Sequence, residues 1–103
     1  MSTVRDEIEI TLEEGDGKGA YVARVDGVAE PAEMTYSRAN SGLIIVDHTF
    51  VPDSMRGKGV GAALAAHVIG EARTKGFKIV PLCTFLQSQI ERHPDWADVV
   101  QRS

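Results

Sequence analysis

The chain is short of several things, and each shortage closes off a class of protein. It has one cysteine, Cys83, so no internal disulfide can form, and a reducing compartment is expected rather than a disulfide-stapled scaffold. No apolar run approaches the roughly 20 residues that cross a bilayer, so no membrane association is expected. Position 2 is Ser2 rather than glycine, and the opening MSTVRDEIEI has no apolar signal core, which leaves a soluble, cytoplasmic protein as the expectation. Basic charge is in deficit: 11 Lys and Arg against 15 Asp and Glu give a net charge of −4. A chain of that sign is poorly suited to gripping a polyanion, so nucleic-acid binding is not expected as its task. Internal repeats, low-complexity tracts and linkers are missing too.

What is present fits a single domain over residues 1–103, with 43% hydrophobic and 25% charged residues. Val4–Leu12 alternates apolar and charged side chains, the period of a half-buried strand. Glu13–Gly19 (EEGDGKG) reads as a turn, Ala20–Val25 as a second strand, and Asp26-Gly27 as a second turn. A third strand is expected near Glu33–Ala39. Leu43–Val51 (LIIVDHTFV) is the most apolar and β-branched stretch and reads as a central strand. Short connections between these four imply an antiparallel meander.

In Val60–Lys75 the polar positions His67, Glu71, Thr74 and Lys75 recur three and four apart, as on a helix that covers a sheet. Gly76 is placed to cap it. Phe77–Leu82 is then a fifth strand, and a strand–helix–strand crossover makes it parallel to Leu43–Val51. Phe85–Arg92 and a segment starting at His93-Pro94-Asp95 read as short helices. The fold class is α/β: a mixed sheet, one central helix crossover and a short helical C-terminus.

The chemistry concentrates before that central helix, in PDSMRGKGVG (Pro52 to Gly61). Glycines let a ligand come close to the backbone, and the first amides of a helix have no internal partner and serve as anion donors. Arg56 and Lys58 add positive charge. On an acidic protein, a basic turn of this kind suits a small anion such as phosphate or pyrophosphate. A Walker A spacing is absent. Gly57, Gly59 and Ala62 match G-x-G-x-x-A, but a dinucleotide domain needs repeated βαβ units that this chain lacks. An ordinary loop at a helix start is the plain alternative.

The run Arg56-Gly57-Lys58-Gly59-Val60-Gly61 resembles the [QR]-x-x-G-x-[GA] signature of the GNAT acetyltransferase superfamily. His48-Thr49-Phe50-Val51-Pro52, Pro81-x-Cys83-x-Phe85 and His93-Pro94-Asp95-Trp96 resemble further landmarks of its small, single-domain, YjdJ-type branch. The resemblance implies a truncated GNAT-like fold that binds acetyl-CoA, without a metal. The pyrophosphate would sit on Arg56, Gly57, Lys58, Gly59, Val60 and Gly61. Backbone groups near Phe50 and Val51 would bond the pantetheine and polarise the acetyl carbonyl. Cys83 and His48 are the catalytic candidates and would face each other across the gap between the parallel strands. Two routes are open: an imidazole-activated thiolate that carries the acetyl group, or direct transfer with His48 or a water as base. A buried, inert thiol and a histidine bonded to backbone are the structural alternatives. Where the resemblance expects an acidic residue, this chain has Phe50. Asp47, alternating with His48, is expected on the opposite face of the strand.

The function expected is acetyl transfer from acetyl-CoA to an amine; the alternative is a non-catalytic coenzyme A-binding module or accessory subunit. The helices that usually follow the first strand of that fold are missing, so an open acceptor site is expected. Neither the acceptor nor the oligomeric state is legible.

Overall fold

The computed structural model describes residues 8–55 and 57–101. It is an α/β fold in which five strands form one sheet in chain order: β1 (Ile8–Gly15), β2 (Lys18–Val25), β3 (Ala32–Asn40), β4 (Leu43–Phe50) and β5 (Lys78–Pro81). The first four are antiparallel to their neighbours, and β5 runs parallel to β4. Helix α1 (Val60–Lys75) makes the crossover between β4 and β5, α2 (Thr84–Arg92) follows, and a 3-10 turn (Pro94–Val99) completes the order. Of the first strand expected from sequence, residues 4–7 lie outside the described residues.

Alternation decides which side chains go inward. Tyr21, Ala23 and Val25 of β2, Met34 and Tyr36 of β3, Ile44 and Val46 of β4 and Ile79 of β5 are buried in one cluster. Leu64, Val68 and Ile69 of α1, Leu86 and Ile90 of α2, and Trp96 and Val99 of the last turn join the same cluster. Both helices therefore cover one face of the sheet, and no helix among the described residues covers the other. We call these the helix face and the open face.

The start of the chain differs from its sequence reading. Glu13–Gly19 is not a loop: β1 continues to Gly15, β2 begins at Lys18, and only Asp16 and Gly17 form the turn, with Gly17 at φ 71°. Such a two-residue hairpin suits the twist of the flanking strands. The extension has a cause. Glu14 accepts from the Tyr36 hydroxyl at 2.5 Å and from Arg38 at 2.6 Å, and the Arg38 amide bonds the Gly17 carbonyl at 2.8 Å, so β3 holds the hairpin tip. Tyr36 lies so close over β2 that a Cβ on Gly19 would stand 2.6 Å from its hydroxyl.

At the other end of the chain, Gly76 takes φ 80° and its amide bonds the Ala72 carbonyl, closing α1 as its sequence implies. Glu71 and Lys75 pair at 2.9 Å. Arg73 grips both oxygens of Asp98 (2.8 and 3.1 Å) and the Asp95 carbonyl (2.7 Å), fixing the last turn against α1. A bridge from Val100 to Ile79 then covers part of the outer edge of β5.

The Glu14 cluster gives a testable pH dependence. Hydrogen bonds from Tyr36 and then Arg38 hold the Glu14 carboxyl below its ordinary value of 4.5. A lowered native value means that the contribution is complete above the unfolded value and disappears as pH falls through the native one. Burial, reinforced by the bond to Glu14, pushes the Tyr36 hydroxyl up to about 12. Glu14→Gln should therefore flatten the stability profile below about pH 4.5. Urea denaturation at pH 7, 4.5 and 3 checks this; parallel profiles for the variant and the parent would contradict it.

Candidate functional site

Between β4 and the start of α1 the chain makes a short 3-10 turn (Asp53–Met55) and then the glycine loop. Gly57 and Gly59 have φ of 80° and 74°, left-handed backbone that glycine enters without strain. A Cβ on either would meet nothing within 4 Å, so both glycines border open space. The first intrahelical bond runs from the Ala63 amide to the Gly59 carbonyl at 2.9 Å, which leaves the amides of Val60, Gly61 and Ala62 with no intrahelical acceptor. Lys58, exposed, stands beside them. The fit to a pyrophosphate is good: a helix N-terminus whose first amides have no intrahelical acceptor, a cation and clear approach. Arg56, expected in this group, lies outside the described residues.

Gly61 has a different task. A Cβ there would come within 2.7 Å of the Phe85 ring, so the glycine lets α2 seat its aromatic side chain directly on the first turn of α1. That seating shapes a cavity of about 550 Å³. It is lined by Gly57, Gly59, Val60, Gly61 and Ala62 at the loop, by Thr49, Val51 and Met55 at the β4 end, and by Phe85 and Gln89 of α2. The glycine loop and the end of the central strand thus open into one space.

At the inner end of this region the sheet comes apart. Pairing of β4 with β5 runs from Leu43–Lys78 to Val46–Pro81 and stops. The Val46 carbonyl accepts from the amides of both Leu82 (2.9 Å) and Cys83 (3.1 Å), after which β5 turns into α2. Beyond Val46, β4 has no strand partner on that side among the described residues. Its other side carries a bulge: Tyr36 pairs with Val46 and Thr35 with His48, leaving Asp47 as the extra residue. The Thr35 hydroxyl lies 2.5 Å from an Asp47 carboxylate oxygen.

The bulge changes which residues share a face. Asp47 and His48 are both exposed, and the alternation resumes one residue late. Thr49, paired with the buried Met34, turns inward, and its hydroxyl lies 3.1 Å from the Cys83 sulfur. Cys83 is a buried free thiol whose polar contact is Thr49, not His48. The expected opposition of Cys83 and His48 across the gap therefore gives way to Cys83 and Thr49 inside, with His48 outside. Asp47, expected opposite His48, is instead exposed beside it. Phe50, paired with exposed Glu33, lies on the open face, while Val51 lines the cavity.

His67, a polar position of the helix, is half-buried, with its ring edge against Tyr21 at 5.4 Å between centroids. His93 stacks on Trp96 at 4.0 Å and contacts the Gln89 carbonyl through Nδ1, packing the C-terminal turn. That pair borders a wider concavity of about 670 Å³ across α1, which shares Gly59, Ala62 and Gln89 with the first cavity.

Sequence reasoning missed Thr49, Phe85 and Gln89 as lining residues. Phe85 and Gln89 are four apart on α2, a spacing that puts both on one face. Nothing local to Thr49 marked it, because its orientation depends on a bulge created against β3.

Residues 20–99 match the family model of GCN5-related N-acetyl-transferases. The chain is similar to Protein NATD1 of Gallus gallus (24% identical over 85 residues, 82% of this chain and 77% of that protein). NATD1 of Homo sapiens is 24% identical over the same share of this chain and 75% of its own length. A GCN5-like protein from Staphylococcus aureus, solved in solution by NMR, superposes with a TM-score of 0.66 at 31% identity, covering 94% of this chain and 91% of that one.

The Gly61–Phe85 contact predicts a coupled pair. Gly61→Ala should destabilise the fold by about 1–3 kcal/mol through overpacking. In a Phe85→Ala background the same change should cost well under half as much. A double-mutant cycle by urea denaturation measures the coupling, and strict additivity would refute the contact. With a family model over most of its length and a solved relative of the same fold, the chain belongs to the GCN5-related N-acetyltransferase family.

Proposed function

We propose that this chain binds acetyl-CoA through the glycine loop and transfers the acetyl group directly to an amine. The observation that carries the reading is the single cavity that joins the free helix amides to Thr49 and Val51 at the end of β4. The pyrophosphate rests on the amides of Val60–Ala62, with Lys58 alongside. The pantetheine arm lies between the β4 end and Phe85, with the thioester at the gap beyond Val46. This follows what the family uses as acyl donor.

In the transfer step the amine nitrogen forms a bond to the acetyl carbon, and the carbon–sulfur bond of the thioester breaks. The proton of the attacking amine passes to His48 or a water on the open face, and the departing sulfur takes a proton and leaves as coenzyme A thiol. Backbone groups of the unpaired stretch of β4, near Phe50 and Val51, are in reach of the carbonyl oxygen as charge develops on it. Thr49 and Cys83 offer a hydroxyl and a thiol beside the leaving sulfur. The contact between Cys83 and Thr49 favours this route over a covalent acetyl-cysteine, because a nucleophilic thiol needs a neighbouring base or cation and Thr49 is neither.

The same contact supports a second reading. A buried thiol tied to a threonine, with His48 turned to the open face, also suits a coenzyme A-binding module that performs no transfer.

Calorimetry with coenzyme A tests the donor site. Lys58→Glu should weaken binding by roughly tenfold, about 1.4 kcal/mol, with the difference shrinking as salt rises. Gly59→Glu should abolish binding, since it puts a carboxylate where the pyrophosphate sits. Unchanged affinity in both variants would overturn the assignment. Intact mass after incubation with acetyl-CoA should show no acetyl adduct. An adduct that disappears in Cys83→Ala would establish the covalent route instead. Donor binding with no thiol release across a panel of amines would establish the module.

A further inference from the structure

A smaller cavity of about 200 Å³ lies at the other end of α1, between the helix face of the sheet and the last turns of that helix. Lys75 stands roughly 24 Å along the helix axis from Gly59, at about 1.5 Å per residue. The cavity shares no lining residue with either of the larger ones.

Its floor has a specific cause. Glu14, Gly19 and Tyr36 stand opposite one another across β1, β2 and β3. With no Cβ at Gly19, the Tyr36 ring lies over β2 and its hydroxyl reaches the Glu14 carboxylate. A tyrosine laid along the sheet leaves open the layer that an upright ring would fill. Leu12, Ile44 and Phe77 give the space apolar walls, while Glu71 and Lys75 border it from α1.

Tyr21 is the side chain whose polar end has no partner there. It is 2% exposed, yet its hydroxyl forms no hydrogen bond among the described residues. The charges that act on this hydroxyl are those of Glu71, Glu14 and Arg38, all of which line the cavity, so it is aimed into the space. Burial, with Glu71 next, pushes the hydroxyl up and keeps it protonated as a donor. Buried polar groups are ordinarily hydrogen-bonded, so this one points to a molecule that enters from outside.

The surrounding charges define that molecule. Arg38 pairs with Glu14 on the sheet side, and Lys75 pairs with Glu71 at 2.9 Å on the helix side. Each cation meets its carboxylate through one nitrogen, and both guanidinium and ammonium have further N–H donors. Glu14 takes its two side-chain bonds on Oε2 and Glu71 its contact on Oε1, so each keeps a second oxygen. Two cations and two carboxylates leave the site with no net charge. A simple anion or cation would be repelled by one member of each pair as it is drawn by the other. An ammonium held next to a carboxylate in one molecule finds a complement for both charges. Size sets the rest: 200 Å³ equals about seven waters at roughly 30 Å³ each, the room of one amino acid with a short apolar side chain.

We propose that this cavity is a second ligand site, made for a free α-amino acid with an aliphatic side chain. The carboxylate lies between Arg38 and Lys75 and accepts from the Tyr21 hydroxyl. The ammonium meets Glu14 and Glu71, and the side chain rests on Leu12, Ile44 and Phe77. The site stands apart from the glycine loop and does not depend on the binding of acetyl-CoA.

Calorimetry on the whole chain with L-leucine tests this, first without coenzyme A and then with it. Leucine should bind with a Kd below about 1 mM and raise the melting temperature. Leucinamide, which lacks the carboxylate, and 4-methylpentanoate, which lacks the ammonium, should each bind about tenfold more weakly. Tyr21→Phe removes the hydroxyl alone. Without ligand this variant should melt at the parent's temperature or above it, while leucine affinity falls about fivefold. Lys75→Gln, at an exposed position, should weaken leucine by a similar factor, and coenzyme A affinity should be unchanged in both variants. Absence of any leucine binding would leave the cavity to water and overturn the proposal. Equal binding of either singly charged analogue would overturn the zwitterion. Parent-like affinity in Tyr21→Phe would remove leucine from this cavity, and a lower melting temperature of that variant without ligand would make the hydroxyl structural; either result overturns the site. Competition between leucine and coenzyme A, or acetylation of leucine when acetyl-CoA is added, would place leucine in the donor cavity and overturn it as well.

Discussion

One carbonyl governs the arrangement. Val46 accepts the amides of both Leu82 and Cys83, and that shared bond ends the parallel pairing of β4 and β5. Had the ladder continued, the space beyond Val46 would be filled by strand, and the end of β4 would have no free backbone to offer a ligand. The bulge at Asp47 acts on the opposite side of the same strand at the same level. Together they give β4 one residue pair exposed outward, one hydroxyl turned inward, and an unpaired edge between them. Such bulges re-aim side chains and end pairing, and they are common beside active sites.

The glycine loop contributes the second half, and its three glycines have separate physical reasons. Gly57 and Gly59 carry positive φ and border open space, so they serve backbone shape and approach. Gly61 is ordinary helix in which a Cβ would strike Phe85. A glycine inside a helix costs roughly 1 kcal/mol relative to alanine, so its use here answers a packing need. The loop borders an enclosed cavity only because α2 closes the cavity wall through that contact. The site therefore depends on three segments that meet nowhere in sequence: the end of β4, the start of α1 and the first two turns of α2.

Most of the fold was legible for a simple reason: its elements obey their own periods. Alternation in β1, the apolar, β-branched run of β4, the three-and-four spacing of His67, Glu71, Thr74 and Lys75, and Gly76 as a cap each carry local information. The glycine loop was legible for the same reason. What failed was the reading of features set by distant partners. The hairpin tip looked like a loop from its glycines, but Tyr36 and Arg38 on β3 bind Glu14 and extend both strands. The pairing of Cys83 with His48 followed from their places at the ends of two neighbouring strands, and one extra residue at Asp47 brings Thr49 to Cys83 instead. Period-two counting cannot see a bulge whose cause lies on the neighbouring strand.

The small size of the chain has a consequence for the sheet. An antiparallel sheet tolerates one solvated face, and β1 to β3 do so with Glu9, Thr11, Arg24 and Glu33 turned outward. The parallel pair β4 and β5 is less suited to it, because its apolar residues point both ways and the first strand runs straight into a hairpin with no helix to cover them.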